Sequence, residues 1–275
     1  MNRLRSMSMI GRLTVLGIAT VCSLVPLIFM VVTSLRSPAD YAANPDSWPH
    51  SFTLGNYIDA FTQVPTLRWA LNSLVVAVAS VLLSTTIAAF AAFAIVFGRF
   101  RGRTVLLSSS IGFIMIPPVV LLLPMFVVMV NLKLVNTLGS VILFYSCLLV
   151  PFSIFFLVNF FRTIPGELME AAVVDGAGPL RVLWTVALPI ARAALVTLAV
   201  VNSIWAWNEL LIALVFLQDE NTRTLMSGLS LLQGRYATNQ PLVLAVATLS
   251  ILPVAVFYFA SQRAFVRGLT AGIGK

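Results

Sequence analysis

Residues 69–98, WALNSLVVAVASVLLSTTIAAFAAFAIVFG, run 30 positions without Asp, Glu, Lys or Arg, between Arg68 and Arg99. A bilayer core asks for about 20 consecutive, mostly apolar helical residues, so this stretch is long enough to cross. Four others match it: 23 residues between Arg12 and Arg36, 29 between Arg103 and Lys133, 28 between Lys133 and Arg162, and 27 between Arg235 and Arg263. A sixth is interrupted, with 16 uncharged residues from Ala193 to Asn208, then Glu209, then nine more to Gln218. The expected fold is all-α, a polytopic membrane protein with six transmembrane helices. An even count puts both termini on one side.

Composition agrees. The chain has 275 residues, 60% apolar and 9% charged, with a mean hydropathy of +1.01. Soluble domains carry about 25% charged residues, so water cannot be the only solvent here. Disordered, collagen-like and disulfide-scaffold classes are excluded on the same grounds. Cys22 and Cys147 are isolated in apolar stretches and His50 is the single histidine. Metal, redox and hydrolytic chemistry therefore have little to build on. The first apolar run exceeds the 7–15 residues of a signal-peptide core, so it is expected as a retained helix.

The net charge of +8 resolves by position. With the amino terminus inside, inner segments hold twelve basic residues: Arg3, Arg5, Arg12, Arg99, Arg101, Arg103, Arg162, Arg181, Arg192, Arg263, Arg267 and Lys275. Against them stand Glu167, Glu170 and Asp175, giving +9; the outer segments hold five of each sign, and Glu209 contributes −1. A twelve-to-five Lys/Arg bias sets the orientation by the positive-inside rule, with no need for nucleic acid as a partner. Both termini are expected in the cytoplasm.

Two outer segments are long. Residues 36–68, with Pro38, Pro45, Pro49, Pro65, Trp48, Phe52 and Tyr57, read as a folded cap. Residues 218–240 carry an apolar patch, from which Leu225, Leu229, Leu232 and Gln233 are candidate contacts for an outer partner. Packing back on the bundle is the alternative.

The inner segment 162–189, RTIPGELMEAAVVDGAGPLRVLWTVALP, does not read as a loop. Thr163 and Pro165 suit a helix start, and Glu167 and Glu170 favour its positive end. Gly176 and Gly178 can stop that helix, Pro179 can start another, and Pro189 kinks or breaks it before the next span. On these grounds it is a helix–turn–helix between two spans, and an amphipathic hairpin capping the bundle fits equally.

Its residues narrow the choice. Glu170-Ala171-Ala172-x-x-x-Gly176, then nine residues, then Val186-x-Leu188-Pro189 resembles the EAA loop of binding-protein-dependent ABC importer permeases, with Val186 where isoleucine is usual. Asn72-Ser73, Asp175-Gly176-Ala177, Trp207-Asn208-Glu209 and the ending Gln262-Arg263…Val266-Arg267-Gly268-Leu269-Thr270-Ala271-Gly272 resemble the maltose-type carbohydrate branch. The resemblance implies a type I importer transmembrane fold in a bacterial or archaeal cytoplasmic membrane. It divides the chain into 1–66 (tail, first helix, outer loop), a permease core at 67–263 with its coupling loop at 163–190, and a tail at 264–275. The coupling surface it implies is Glu170, Ala171, Ala172, Asp175, Gly176, Leu188 and Pro189. Implied partners are two copies of a cytoplasmic ATPase, a second homologous permease and an extracytoplasmic sugar-binding protein. No Gly-x-x-x-x-Gly-Lys-Ser/Thr sequence occurs, so ATP and magnesium belong to the partner ATPase. The chain itself is expected to be neither an enzyme nor a cofactor binder.

Asn202, Trp205 and Glu209 share a helical face with Asn208 beside it, a candidate translocation pathway or gate. Indole, amide and carboxylate suit a sugar; structural pairing with a neighbouring helix is the competing reading. Two other transport readings are weaker. An ion-coupled secondary transporter would need membrane carboxylates beyond Glu209, and a permease for an anion such as glycerol phosphate would favour cations within the spans.

Overall fold

The computed structural model describes residues 2–45, 47–236 and 239–271, leaving out the side chains of 2–10, 260–261 and 263–271. Asp46, Lys275 and the end of the tail expected at 264–275 lie outside the described residues, as do the side chains of Arg3, Arg5, Arg263 and Arg267. In chain order the helices are α1 (Asn2–Ser34), α2 (Pro38–Ala43), α3 (Gly55–Thr62), α4 (Thr66–Phe97), α5 (Arg103–Ile114), α6 (Pro118–Asn131) and α7 (Leu138–Phe161). They continue as α8 (Gly166–Val174), α9 (Pro179–Val182), a π-type turn (Leu183–Ala187), α10 (Leu188–Ile190), α11 (Arg192–Asn208), α12 (Leu211–Phe216), α13 (Leu225–Arg235) and α14 (Gln240–Ala271). Among the described residues there is no strand, only one isolated bridge between Arg36 and Phe52.

Among the described residues four helices are long and apolar enough to cross a membrane, and the count is up to six if each of two bent pairs is one span. The sharpest bend, 103°, separates α5 from α6 at the Pro117-Pro118 break. With a 1.5 Å rise per residue, these helices of 12 and 14 residues are too short to cross a ~30 Å core singly. The third charge-free stretch thus does not cross as one straight helix.

The chain forms two compact units, 1–66 with 229–252, and 67–228 with 253–275. In the first, the apolar surface of α1 is exposed along most of its length, as at Leu16, Ile18 and Val25. The cap that follows is organised by Arg36, whose side chain is only 2% exposed. Its Nε donates to Asp40 Oδ2 at 2.9 Å, and its two terminal nitrogens donate to the carbonyls of Asp40, Asn44, Pro45 and Ser47 at 2.9–3.3 Å. Asn56 Nδ2 reaches the carbonyls of Ser34 and Arg36 at 2.8 and 2.7 Å, and the Ser34 and Tyr57 hydroxyls pair at 2.6 Å. The cap is folded as expected, but a guanidinium holds it, while Trp48 and Phe52 lie exposed.

In the second unit α4, α7 and α11 build the core. Ala88, Ala89 and Ala92 of α4 are buried in one cluster with Leu157, Phe161, Leu183 and Leu198, small residues that let helices approach closely. A second cluster gathers Val76, Phe144, Tyr145, Ile212 and Phe216. The start of α4 holds the outer segment before α13. Asn72 Nδ2 donates to the carbonyls of Asn221 and Arg223, each at 2.9 Å, Ser73 Oγ accepts from the Leu225 amide at 2.8 Å, and Trp69 Nε1 donates to the Glu220 carbonyl at 2.9 Å. Gly228 rests on the Trp69 indole, where a Cβ would sit 2.2 Å from Cε3.

The Arg36 guanidinium lowers the Asp40 carboxyl below its ordinary value, with help from His50 and against the effect of burial. A carboxylate with a depressed folded pKa adds stability above its unfolded pKa and loses it as pH falls through the folded one. Hydrogen exchange over 36–57 is therefore expected to stay slow at neutral pH and quicken only below the ordinary carboxylate range, with Asp40→Asn abolishing that step. Gly228→Val should cost about 1–3 kcal/mol by overpacking against Trp69, read as a lowered melting temperature in detergent.

Candidate functional site

The segment between α7 and α11 has two contrasting sides. Its underside is core: Met169, Val182, Leu183 and Ala187 are buried with Leu157, Phe161 and Ile164. Its outer side exposes Glu167, Glu170, Ala171 and Asp175, with apolar Leu168, Val173, Val174, Leu180 and Trp184 between 46% and 86% exposed. Carboxylates beside an apolar patch, on a stiff base, suit a protein partner better than solvent. Sequence reasoning singled out Glu170, Ala171 and Asp175 but missed Leu168, Val174, Leu180 and Trp184. Their signal was available, as large apolar residues in a segment otherwise rich in polar and small ones.

Gly176 ends α8 as a left-handed residue, with φ +82°. The Ala177 amide bonds the Ala172 carbonyl and the Gly176 amide bonds the Val173 carbonyl, each at 3.0 Å. Those two bonds form a Schellman motif, and Ala172 and Ala177 both pack at the edge of the core. The half-buried Ala172 thus serves the base, whereas Ala171 faces out. Pro179 occupies the first turn of α9 as expected.

One expectation fails here, and a second, the break before the next span, holds but two residues beyond Pro189. Thr163 does not cap α8, because its hydroxyl donates backwards to the Phe160 carbonyl at 2.7 Å, and Pro165 takes the cap position. Pro189 does not break the segment at its own position. Lacking an amide hydrogen and crowding the carbonyl four residues back, it follows a π-type turn over Leu183–Ala187, where the Leu188 amide reaches the Leu183 carbonyl. The 77° bend comes afterwards, between α10 and α11 at Ala191. Leu188 is half-buried and Pro189 exposed.

Farther along the chain, α11 stops at Asn208 and α12 begins at Leu211. Glu209 fills the break. Its carboxylate accepts from the Tyr145 hydroxyl at 2.7 Å and from the amides of Ile212 and Ala213 at 3.1–3.3 Å, capping α12. Trp205 packs edge-on against Tyr145, with ring centroids 5.2 Å apart, and Asn202 Nδ2 donates to Ser153 Oγ at 2.9 Å. The face shared by Asn202, Trp205 and Glu209 is turned toward α7 of the same chain. Asn208 is exposed, its amide donating to the Ile204 carbonyl at 2.7 Å. A cavity of about 370 Å³ lies between α4, α11 and α14, walled by Leu74, Val78, Ile204 and Phe257 with Ser203 and Trp207. So apolar a wall offers a sugar few hydroxyl partners.

On the outer patch, Leu225 and Leu232 are buried, at 1% and 3% exposure, so they pack within the chain instead of facing a partner. Leu229 is half-buried and Gln233 exposed.

Residues 84–271 match the family described as binding-protein-dependent transport system inner membrane component. The sulfoquinovosyl glycerol transport system permease protein SmoH of Agrobacterium fabrum is 36% identical, over 93% of this chain and 90% of that protein. The melibiose/raffinose/stachyose import permease protein MelC of Bacillus subtilis is 28% identical, over 99% and 98%. Among solved structures, a chain of a bacterial ABC transporter involved in the import of alginate superimposes with a TM-score of 0.79 at 26% identity, over 93% of this chain and 95% of that one.

Glu209→Ala removes the cap of α12 and leaves the Tyr145 hydroxyl only the long bond to the Glu209 carbonyl at 3.5 Å, an expected loss of roughly 2–4 kcal/mol. Tyr145→Phe should cost about 1 kcal/mol. Thermal unfolding in detergent checks both, and unchanged melting of the alanine variant would refute this role.

Proposed function

This chain belongs to the family of binding-protein-dependent transport system inner membrane components, and from that membership we propose that it is the permease subunit of an ATP-driven importer for a carbohydrate. Transport, and not catalysis, is the work of this family, and its members act with other ABC components. In this reading a solute-binding protein delivers a mono- or oligosaccharide at the outer face. A second homologous permease completes the pathway. Two copies of a cytoplasmic ATPase bind ATP and magnesium, and both termini of this chain lie on their side of the membrane.

The observation that carries the proposal is the two-sided α8–α10 segment. Glu170, Ala171 and Asp175 meet the ATPase, while Met169, Leu183 and Ala187 tie the same segment to the core. A base packed this tightly transmits displacement, where a flexible loop would absorb it. The bend at Ala191 then passes movement directly to α11. Asn208, exposed beside the break at Glu209, is the pathway contact; Asn202, Trp205 and Glu209 hold the break in shape. Relatives named for sugar or glycoside transport support a carbohydrate substrate, as does the lack of cations in the five complete charge-free stretches.

The test is uptake into proteoliposomes holding this chain with its partner permease and ATPase, using radiolabelled sugars and the binding protein. Uptake should require ATP and survive collapse of ion gradients. Glu170→Arg should lower it by at least about tenfold, the effect of losing some 1.4 kcal/mol of partner contact. Gly176→Val, strained at positive φ by about 1–2 kcal/mol, should also lower it. Uptake that needs a gradient, ignores ATP and tolerates Glu170→Arg would overturn the proposal.

A further inference from the structure

A second cavity, of about 310 Å³, lies where the end of α4, the start of α5 and the end of α7 meet. Arg103, Thr104 and Arg162 supply its polar wall, and Ile95, Val96 and Leu107 its apolar one. Among the described residues Asp40 pairs with Arg36 and His50, and no ion pair involves Arg103 or Arg162. Neither Arg103 nor Arg162 therefore has a carboxylate within pairing distance. Two guanidiniums converge on one concavity, and the dipole of the 12-residue α5, which begins there, adds to the positive field.

Position says what would neutralise them. Arg162 closes α7 and Arg103 opens α5, so the cavity sits at the ends of apolar helices, where a membrane-spanning bundle meets lipid headgroups. An apolar wall beside a cationic one matches an amphiphile, with phosphate toward the arginines and acyl chain along Ile95, Val96 and Leu107. Guanidinium groups hold phosphate oxygens in bidentate geometry, and basic pockets between transmembrane helices on the cytoplasmic side take anionic headgroups. We propose that this cavity binds the phosphate headgroup of an anionic phospholipid. Only the choice of leaflet rests on the orientation given under the proposed function, and there it is the cytoplasmic one. A lipid so held would brace the junction just before Thr163, where the ATPase-facing segment leaves the bundle.

Native mass spectrometry of the full chain with added dioleoylphosphatidylglycerol or dioleoylphosphatidylcholine tests this without ATP, sugar or partners, so its failure would leave the transport reading standing. The chain should retain phosphatidylglycerol in preference to phosphatidylcholine, and excess inorganic phosphate should not displace it. Arg103→Gln with Arg162→Gln should weaken phosphatidylglycerol binding roughly 10- to 30-fold. Arg99→Gln with Arg101→Gln removes the same charge outside the cavity and should change it less than about threefold. Arg103→Lys with Arg162→Lys should lie between the unaltered chain and the glutamine pair, because the charge is kept and the bidentate geometry is lost. Equal losses from the two glutamine pairs, or no preference between the lipids, would overturn the site. Displacement by inorganic phosphate would assign it to a soluble phosphate. Loss of the lipid on assembly with the ATPase would assign it to a protein carboxylate; either result also overturns the proposal. Should the 103/162 glutamine pair fail to fold, the thermal shift of the unaltered chain decides: stabilisation by phosphatidylglycerol beyond phosphatidylcholine supports the site, and its absence counts against it.

Discussion

Inside hydrocarbon, a backbone amide or carbonyl has no water to bond with and costs several kcal/mol if left unpaired. Several departures from a straight helix in this chain carry their own replacement partner. At the break after Asn208, the Glu209 carboxylate takes the leading amides of α12 and the Tyr145 hydroxyl together. Before Pro189, a widened turn lets the Leu188 amide reach back to Leu183. At the end of α8, the Gly176 turn redirects two amides onto the carbonyls of Ala172 and Val173. The outer cap follows the same rule with a side chain, Arg36, gathering carbonyls that no helix uses.

These repairs sit where the chain changes direction, and direction is what a transport subunit has to control. The α8–α10 segment is pinned by Met169, Val182 and Leu183, bends once at Ala191 and continues as α11. A push on its exposed face has no slack in which to dissipate. From α11 the path reaches the Glu209 break, which Tyr145 ties to α7. In the proposed reading, contact with a soluble partner and the shape of the membrane interior would be linked through one short, stiff stretch of chain.

The residues that carried the functional reading were legible because their signals are local. Gly176, Pro179 and the carboxylates of 167–175 announce a helix, its end and a restart through backbone chemistry alone. The Asn72-Ser73 pair was visible as a motif, but its work, gripping the backbone of residues 221–225 from about 150 positions away, was not. Arg36 looked like one outer charge among five and is instead the buried centre of the cap. Leu225 and Leu232 looked like a sticky outer patch and are buried. Such reversals concern partners chosen by tertiary folding, 4 to 11 residues away for Arg36 and about 150 for the Asn72-Ser73 pair, on which neither hydropathy nor helical periodicity bears.

From the sequence alone come the membrane as solvent, an expected number and orientation of spans, and the position of the inner helix–turn–helix. Each depends on a sum over neighbouring residues: apolar length against bilayer thickness, Lys/Arg counts between spans, glycine and proline at set offsets. Only the tertiary structure decided that Asn202, Trp205 and Glu209 spend their polar groups on α7, that the bend falls at Ala191, and that Arg103 and Arg162 converge without a carboxylate. Those outcomes depend on which helices lie side by side. That is settled by packing and by satisfaction of buried polar groups across the bundle, and no local stretch of the chain encodes it.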